Sequence, residues 1–407
     1  AAALAAALGA PGAWAEDPLP PRPDPSTPPP ADPAPADVSR LERDLAARSE
    51  DVRAAAARAL GRLGPAAAEA VPSLVRVLAP RPGSPPPPPG HPPPVGTDAI
   101  AAAEALGAIG GPAIPRLLSS LDDPDPQVRE LSAYALGRVR ADPERAVPAL
   151  ARLLGDPVRP VRETASLALS RYPAPEAVER TAHALSDGDP LAREAAARSL
   201  SLREAEALDP ALPSLSKAAG DQDPRVRTAV AHALGRARPD DTTATNALLR
   251  LGAEAVPEVR VAIAAALERV GAADPRATQA LVDALRDPVL AVRRQAASSL
   301  GSRRTLAGRV ATPLSRLLAD RDDLVAIAAA EALGRLGPEA DAAVVELMDL
   351  LRSDRVPAVR AAAADALRGI GREAHAAAAT LRRIAADDRE DPEVRDAARD
   401  ALATVGP

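Results

Sequence analysis

Nine arginines follow a valine or alanine at near-constant spacing: Arg53, Arg129, Arg162, Arg193, Arg227, Arg260, Arg293, Arg360 and Arg395. An aspartate usually lies a few residues before each. Guanidinium and carboxylate groups form short, charge-assisted, often bidentate hydrogen bonds. Such a series serves either to hold an anionic ligand or to hold the fold. Proton-transfer chemistry has less material. The four histidines, His91, His183, His232 and His375, are scattered, and none has an acidic neighbour in sequence. Cysteine is absent, which removes disulfides, thiolate metal sites and cysteine nucleophiles. No Gly-rich phosphate loop and no metal-ligand spacing occurs. The sequence therefore predicts no catalytic residue, no metal and no cofactor.

The arginines belong to a longer pattern, V-R-x-x-A-A-x-A-L-G. Its first position falls at Val52, Val128, Val161, Ala192, Val226, Val259, Val292, Val325, Val359 and Val394, with a degenerate copy beginning at Asp98. From Val128 onward the steps are 33, 31, 34, 33, 33, 33, 34 and 35 residues. Within each copy the apolar positions recur at three and four residues, the period of an amphipathic helix. Asp156-Pro157, Asp223-Pro224, Asp287-Pro288 and Asp391-Pro392 read as helix starts, where Asp accepts free amide hydrogens and Pro loses nothing. Gly61, Gly137, Gly235, Gly301 and Gly334 read as left-handed helix stops. The stretches "AVPSLVRVL" from Ala70, "AVPALARLL" from Ala146 and "ATPLSRLLA" from Ala311 read as a further helix of each unit. Neither helix of a pair can bury its face alone, and stacking the pairs makes one continuous core.

This combination, "DPxxxVRxxAAxALGxLG" with "AVPxLxxLL", resembles the HEAT repeat, in particular the short HEAT-like type named after phycobilisome lyases. It covers residues 37–407. The resemblance implies an all-α, right-handed solenoid, or superhelix, of about eleven helix pairs in which the V-R helix is the second of each pair. It also implies that the Arg and Asp residues link neighbouring repeats, so Arg293 would hold the fold. The family is mostly protein-binding scaffold, with a few enzymes. HEAT-like di-iron hydroxylases carry repeated His-Glu pairs, which this chain lacks.

Composition agrees with thin helical layers. Among the 407 residues Phe is absent, and one Trp and two Tyr supply almost no aromatic bulk. Alanine, the best helix former, takes their place. A net charge of −6 argues against nucleic acid as a partner, including the DNA of HEAT-like glycosylases. Lys217 is the sole lysine, a bias that fits a GC-rich coding sequence.

Residues 1–15 run from an Ala-rich apolar stretch to Ala13-Trp14-Ala15. They have the form of a signal-peptide remnant, apolar region plus cleavage site without a basic n-region; an Ala-rich tail is the alternative. The first reading places the chain outside the cytoplasm, in a periplasmic or extracellular setting. Residues 16–36 read as a stiff Pro-rich linker. A second Pro-rich run, residues 80–94 in a longer insertion to 96, falls within the second unit and is either a docking segment or a tolerated loop. No stretch is long enough to span a membrane.

Arg294 begins a different column, which the resemblance turns toward the concave groove. In it and the column one turn further on, residue type varies between copies, as in a binding surface or an unconstrained solvent face. Tyr134, Leu167 and His232 stand where charge would be expected, and Tyr is a favoured interface anchor. Glu331, Asp365 and Asp400 form an acidic run suited to a basic peptide or protein, or simply to solubility. The reading is a monomeric, non-enzymatic scaffold binding a protein or peptide along the concave face. The alternatives are a bilin-lyase-like enzyme and a purely structural spacer.

Overall fold

The computed structural model describes residues 35–80, 95–173, 175–251, 254–353 and 355–406. The expected remnant at 1–15 and nearly all of the two Pro-rich runs lie outside them. Among the described residues the chain is built of α-helices and short 3-10 turns, without strands. It divides into two compact units, one ending at Arg203 and the other beginning at Glu204.

The first unit contains five helix pairs. They are α1 (Pro35–Asp44) with α2 (Glu50–Leu63), α3 (Val71–Leu78) with α4 (Thr97–Ile109), α5 (Ile114–Ser120) with α6 (Pro126–Val139), α7 (Pro143–Arg152) with α8 (Arg159–Ser170), and α9 (Pro175–Ala184) with α10 (Pro190–Ser201). The second contains six. They are α11 (Leu212–Ala218) with α12 (Pro224–Leu234), α13 (Thr242–Arg250) with α14 (Pro257–Arg269), α15 (Pro275–Ala284) with α16 (Leu290–Leu300), α17 (Ala307–Leu317) with α18 (Asp323–Leu336), α19 (Val344–Arg352) with α20 (Pro357–Ile370), and α21 (Ala378–Ala385) with α22 (Pro392–Val405). Within each unit the second, even-numbered helices pack side by side. Each unit is thus an α-solenoid segment.

Leucines recurring once per helix form the core. In the second unit Leu234, Leu267, Leu300, Leu333 and Leu367 line the second helices, and Leu215, Leu248, Leu281, Leu314, Leu347 and Leu381 the first helices, all essentially inaccessible. Burial of each contributes roughly 1.5–3 kcal/mol. Small residues then set how closely neighbouring second helices approach. A Cβ on Gly137 would lie 2.8 Å from Ala168 Cα, and one on Gly301 2.8 Å from Ala332 Cα.

That contact corrects the expected role of these glycines. Gly61, Gly137 and Gly334 lie inside right-handed helices, and Gly235 and Gly301 end theirs at φ −66° and −63°. The left-handed stop, where present, comes three residues later, as at Gly64 (φ 58°) and Gly337 (φ 80°). Helices α8, α10, α12 and α16 lack a glycine at that later place and end two or three residues earlier relative to the repeat.

Boundaries differ in three further places. Helix α1 starts at Pro35, ahead of residue 37, where the resemblance begins. Helices α7 and α17 begin at Pro143 and Ala307, so Pro148 and Pro313 sit inside them. Asp223 and Asp391 cap their helices, accepting from Arg225 N–H and Glu393 N–H. Asp156 and Asp287 do not, because α8 and α16 start three residues beyond them, behind Val158 and Val289. Their carboxylates are committed elsewhere.

Candidate functional site

Arg293 shows where those carboxylates go. Its Nε and Nη2 donate to the two carboxylate oxygens of Asp320, in the next pair, at 2.8 and 2.9 Å. Its Nη1 donates back to Asp287 O and Pro288 O in its own turn, at 2.9 and 3.2 Å. Asp320 in turn accepts from Asp322 N–H at 3.0 Å, which shapes the turn it sits in. One guanidinium and one carboxylate therefore fix two interhelix turns and join them. The same rung forms between Arg260 and Asp287, Arg227 and Glu254, and, in the first unit, Arg129 and Asp156. Arg53 pairs with buried Asp98, carried on the helix itself, and Arg360 with Glu390.

Arg162 and Arg395 depart from this pattern, while Arg193 shares its own-turn bonds. Arg162 Nη1 donates to Asp156 O, and Arg193 Nη1 to Asp187 O and Gly188 O, each in its own turn. Arg395, in the last pair, meets Asp388 at 3.7 Å. The ninth pair has Ala326 at the ladder position, and there Arg355 of the tenth pair reaches back to Asp323 instead.

The pairing tunes the carboxylates. Hydrogen bonds from Arg227 and Arg360 hold Glu254 and Glu390 below the ordinary carboxylate value. Burial pushes Asp287 and Asp320 upward, but their guanidinium partners and the backbone N–H groups of Val289 and Asp322 outweigh it, and both end lowered.

A second set of polar anchors was not singled out in the sequence. Arg203 donates to Leu169 O and Tyr172 O at 2.6 and 2.5 Å, and Arg303 to Leu267 O and Gly271 O. Both side chains are buried. Each satisfies carbonyls at the C-terminal end of the preceding second helix, where a cation also meets the negative end of the helix dipole. Burial pushes the Arg203 guanidinium down to about 10. Tyr172 Oη does the corresponding work for Leu136 O at 3.0 Å. The available signal was an arginine or tyrosine in a column that elsewhere holds Leu63, Ile109, Val139 and Val270.

The candidate binding residues divide sharply. Tyr134 is buried, 5% exposed, with the Arg138 guanidinium 6.0 Å from its ring centroid. It is therefore not an open anchor, which corrects the expectation. Burial also raises its phenol pKa, and in the adjoining column burial pushes the Glu130 carboxyl up to about 7. Leu167 is half-buried; His232, Arg294, Glu331, Asp365 and Asp400 are exposed. The acidic run is partly compensated within its own helices: Asp365 pairs with Arg368 at 2.8 Å, and Glu331 lies 4.0 Å from Arg335. Arg294 pairs with no carboxylate among the described residues.

Stacked helix pairs joined turn to turn by Arg–carboxylate rungs define an α-solenoid repeat protein. A family model described as HEAT repeats matches residues 97–170, 179–268, 212–301, 251–334 and 310–403, and the chain belongs to that family. A model described as the PBS lyase HEAT-like repeat matches residues 52–79. No curated protein sequence matches the chain. Among solved structures it is similar to yeast importin-beta, Kap95p, with TM-score 0.63 and 14% identity over 91% of this chain and 57% of that one. It is also similar to importin beta crystallised with ammonium sulfate (0.59, 17%, 90% and 57%) and to the Kap95:Nup1 complex (0.62, 14%, 91% and 57%). At these identities the likeness is one of fold, and the chain spans little more than half the length of those proteins.

Proposed function

We propose that this chain is a non-enzymatic scaffold that binds a protein or peptide along the face built by its second helices. One contrast carries the reading. The core leucines and the ladder repeat from pair to pair, whereas His232, Arg294, Glu331 and Asp365, at exposed second-helix positions of the second unit, do not repeat. A face freed from packing while the frame behind it stays fixed suits recognition spread over several repeats. The Kap95:Nup1 structure is an instance of a similar fold bound to another protein.

Affinity capture from native extract with the full chain tests this. A second bait carries Leu167→Ala, His232→Ala, Arg294→Glu, Glu331→Arg and Asp365→Arg, with circular dichroism to check that it is helical. A protein held by the first bait and lost by the second supports the reading. Equal capture by both overturns the site. The lyase alternative has the match at residues 52–79 behind it, and covalent chromophore transfer to an acceptor would favour it. Export and a monomeric state are part of the same proposal, and the Ala13-Trp14-Ala15 ending of the apolar run supports the first. Cell fractionation and sedimentation velocity test those two statements.

A further inference from the structure

The turns between first and second helices in the eighth, ninth and tenth pairs form an edge with an unusual balance of charge and apolar surface. The rungs Arg293–Asp320 and Arg355–Asp323, at 2.8 and 2.6 Å, hold these three turns in succession. Beside them Leu290 is 43% exposed, Leu324 51% and Val356 48%, three of the most exposed large apolar side chains among the described residues.

Among the described residues the acids of this edge are already engaged. Asp287 holds Arg260, Asp320 holds Arg293 and Asp323 holds Arg355. Asp322 accepts from Leu324 N–H and Val325 N–H at 3.0 and 3.2 Å. The arginines are not matched in the same way. Arg286, Arg294 and Arg321 are exposed and pair with no carboxylate among the described residues. Arg294 lies one helical turn after Leu290 on α16, so the two share a face. Among the described residues the rungs thus pair Asp287, Asp320 and Asp323 and leave three exposed cations on an edge that carries three exposed apolar side chains.

We infer that this edge docks an extended acidic segment of a partner protein carrying an apolar residue at about every third position. Neighbouring helices lie roughly 8–10 Å apart, and a chain in the polyproline-II conformation advances about 3.1 Å per residue with three residues per turn, so every third side chain falls on one face and meets the next repeat. Leu290, Leu324 and Val356 receive the apolar residues, and Arg286, Arg294 and Arg321 the carboxylates between them. The inference rests on the protein-binding reading but not on the groove residues of the second unit, apart from Arg294.

The test uses the full chain and a fluorescent peptide of four Leu-Glu-Asp repeats, with Leu-Lys-Ser and Ser-Glu-Asp repeats as controls, followed by anisotropy. The expected result is binding of the first peptide alone, weakened by added salt. Arg286→Glu with Arg321→Glu, and separately Leu290→Ser with Leu324→Ser, each weaken it by roughly tenfold. These positions are exposed, and melting curves check that the variants fold. No binding of the Leu-Glu-Asp peptide, or binding indifferent to both double variants, overturns the inference. So does binding to anionic phospholipid vesicles in place of the peptide. Capture of a native partner through the second-helix face is measured without Arg286, Arg321, Leu290 or Leu324, so the scaffold reading can stand when this one falls.

Discussion

Arg355 reaches backwards: its Nε and Nη2 donate to Asp323 Oδ1 at 2.9 and 2.6 Å, so the rung between the ninth and tenth pairs runs opposite to its neighbours. Arg355 Nη1 also donates to Leu318 O at 3.3 Å. The reversal fills the seam that Ala326 leaves without a forward arginine, and with it every seam of the second unit carries an Arg–carboxylate pair.

Polarity at this seam should be exchangeable. Asp323→Arg alone and Arg355→Asp alone each lower stability by about 1 kcal/mol, since the pair is partly exposed. The double variant recovers most of that loss. Thermal melts of the four proteins in a double-mutant cycle measure the coupling, and additive losses would show that the pair does not interact.

Acid should act on the ladder. Glu254, Asp287, Asp320 and Glu390 have lowered values in the folded chain. The unfolded chain therefore binds protons first as pH falls. The stability they add is complete above the unfolded carboxylate values near pH 4 and is shed as pH drops through the lowered folded values. Replacing Arg260 and Arg293 with Met should flatten the acid limb of a stability–pH curve. An unchanged slope would detach acid sensitivity from the ladder.

Close helix approach should make one methyl group costly. Gly137→Ala places its Cβ 2.8 Å from Ala168 Cα, a backbone atom, and should destabilise by about 1–3 kcal/mol. Gly308→Ala meets nothing within 4 Å in helix α17 and should be neutral or stabilising. Denaturant midpoints of the two variants should move in opposite directions or differ plainly in size.

The buried guanidinium of Arg303 should resist conservative replacement. It reaches two carbonyls, Leu267 O and Gly271 O, with separate nitrogens. A lysine cannot reproduce that fork. Arg303→Lys and Arg303→Met should each lose about 2 kcal/mol or more, with amide exchange rising first at the end of α14. Full retention of stability in Arg303→Lys would mean that the charge alone matters.

Much of this architecture is legible in the sequence, because a repeat writes its core many times over. The V-R column, with the resemblance it carries, led to the rung formed by Arg293, and the recurrence of that pattern to the eleven pairs. What escaped were places where one copy departs from the rest. Ala326 reads as a vacant ladder position, since nothing in a column-by-column comparison links it to Arg355 in the next turn. Tyr134 stands in a column where Arg58 and Glu104 are exposed, yet it is buried. Gly137 and Asp156 were misread by local rules: a glycine near a helix end and an aspartate before a proline each have a usual explanation within one helix. Here the neighbouring repeat sets their roles.

The direction of the rungs also bears on how such a chain could be rearranged. Each ordinary repeat presents an arginine to its successor and a carboxylate to its predecessor, like beads with a hook and an eye. A duplicated or deleted copy of the seventh or eighth pair would still find a matching neighbour on both sides. The ninth and tenth pairs would not, because one offers an acid where the series expects a base and the other answers in kind. Those two repeats keep their pairing only when moved together.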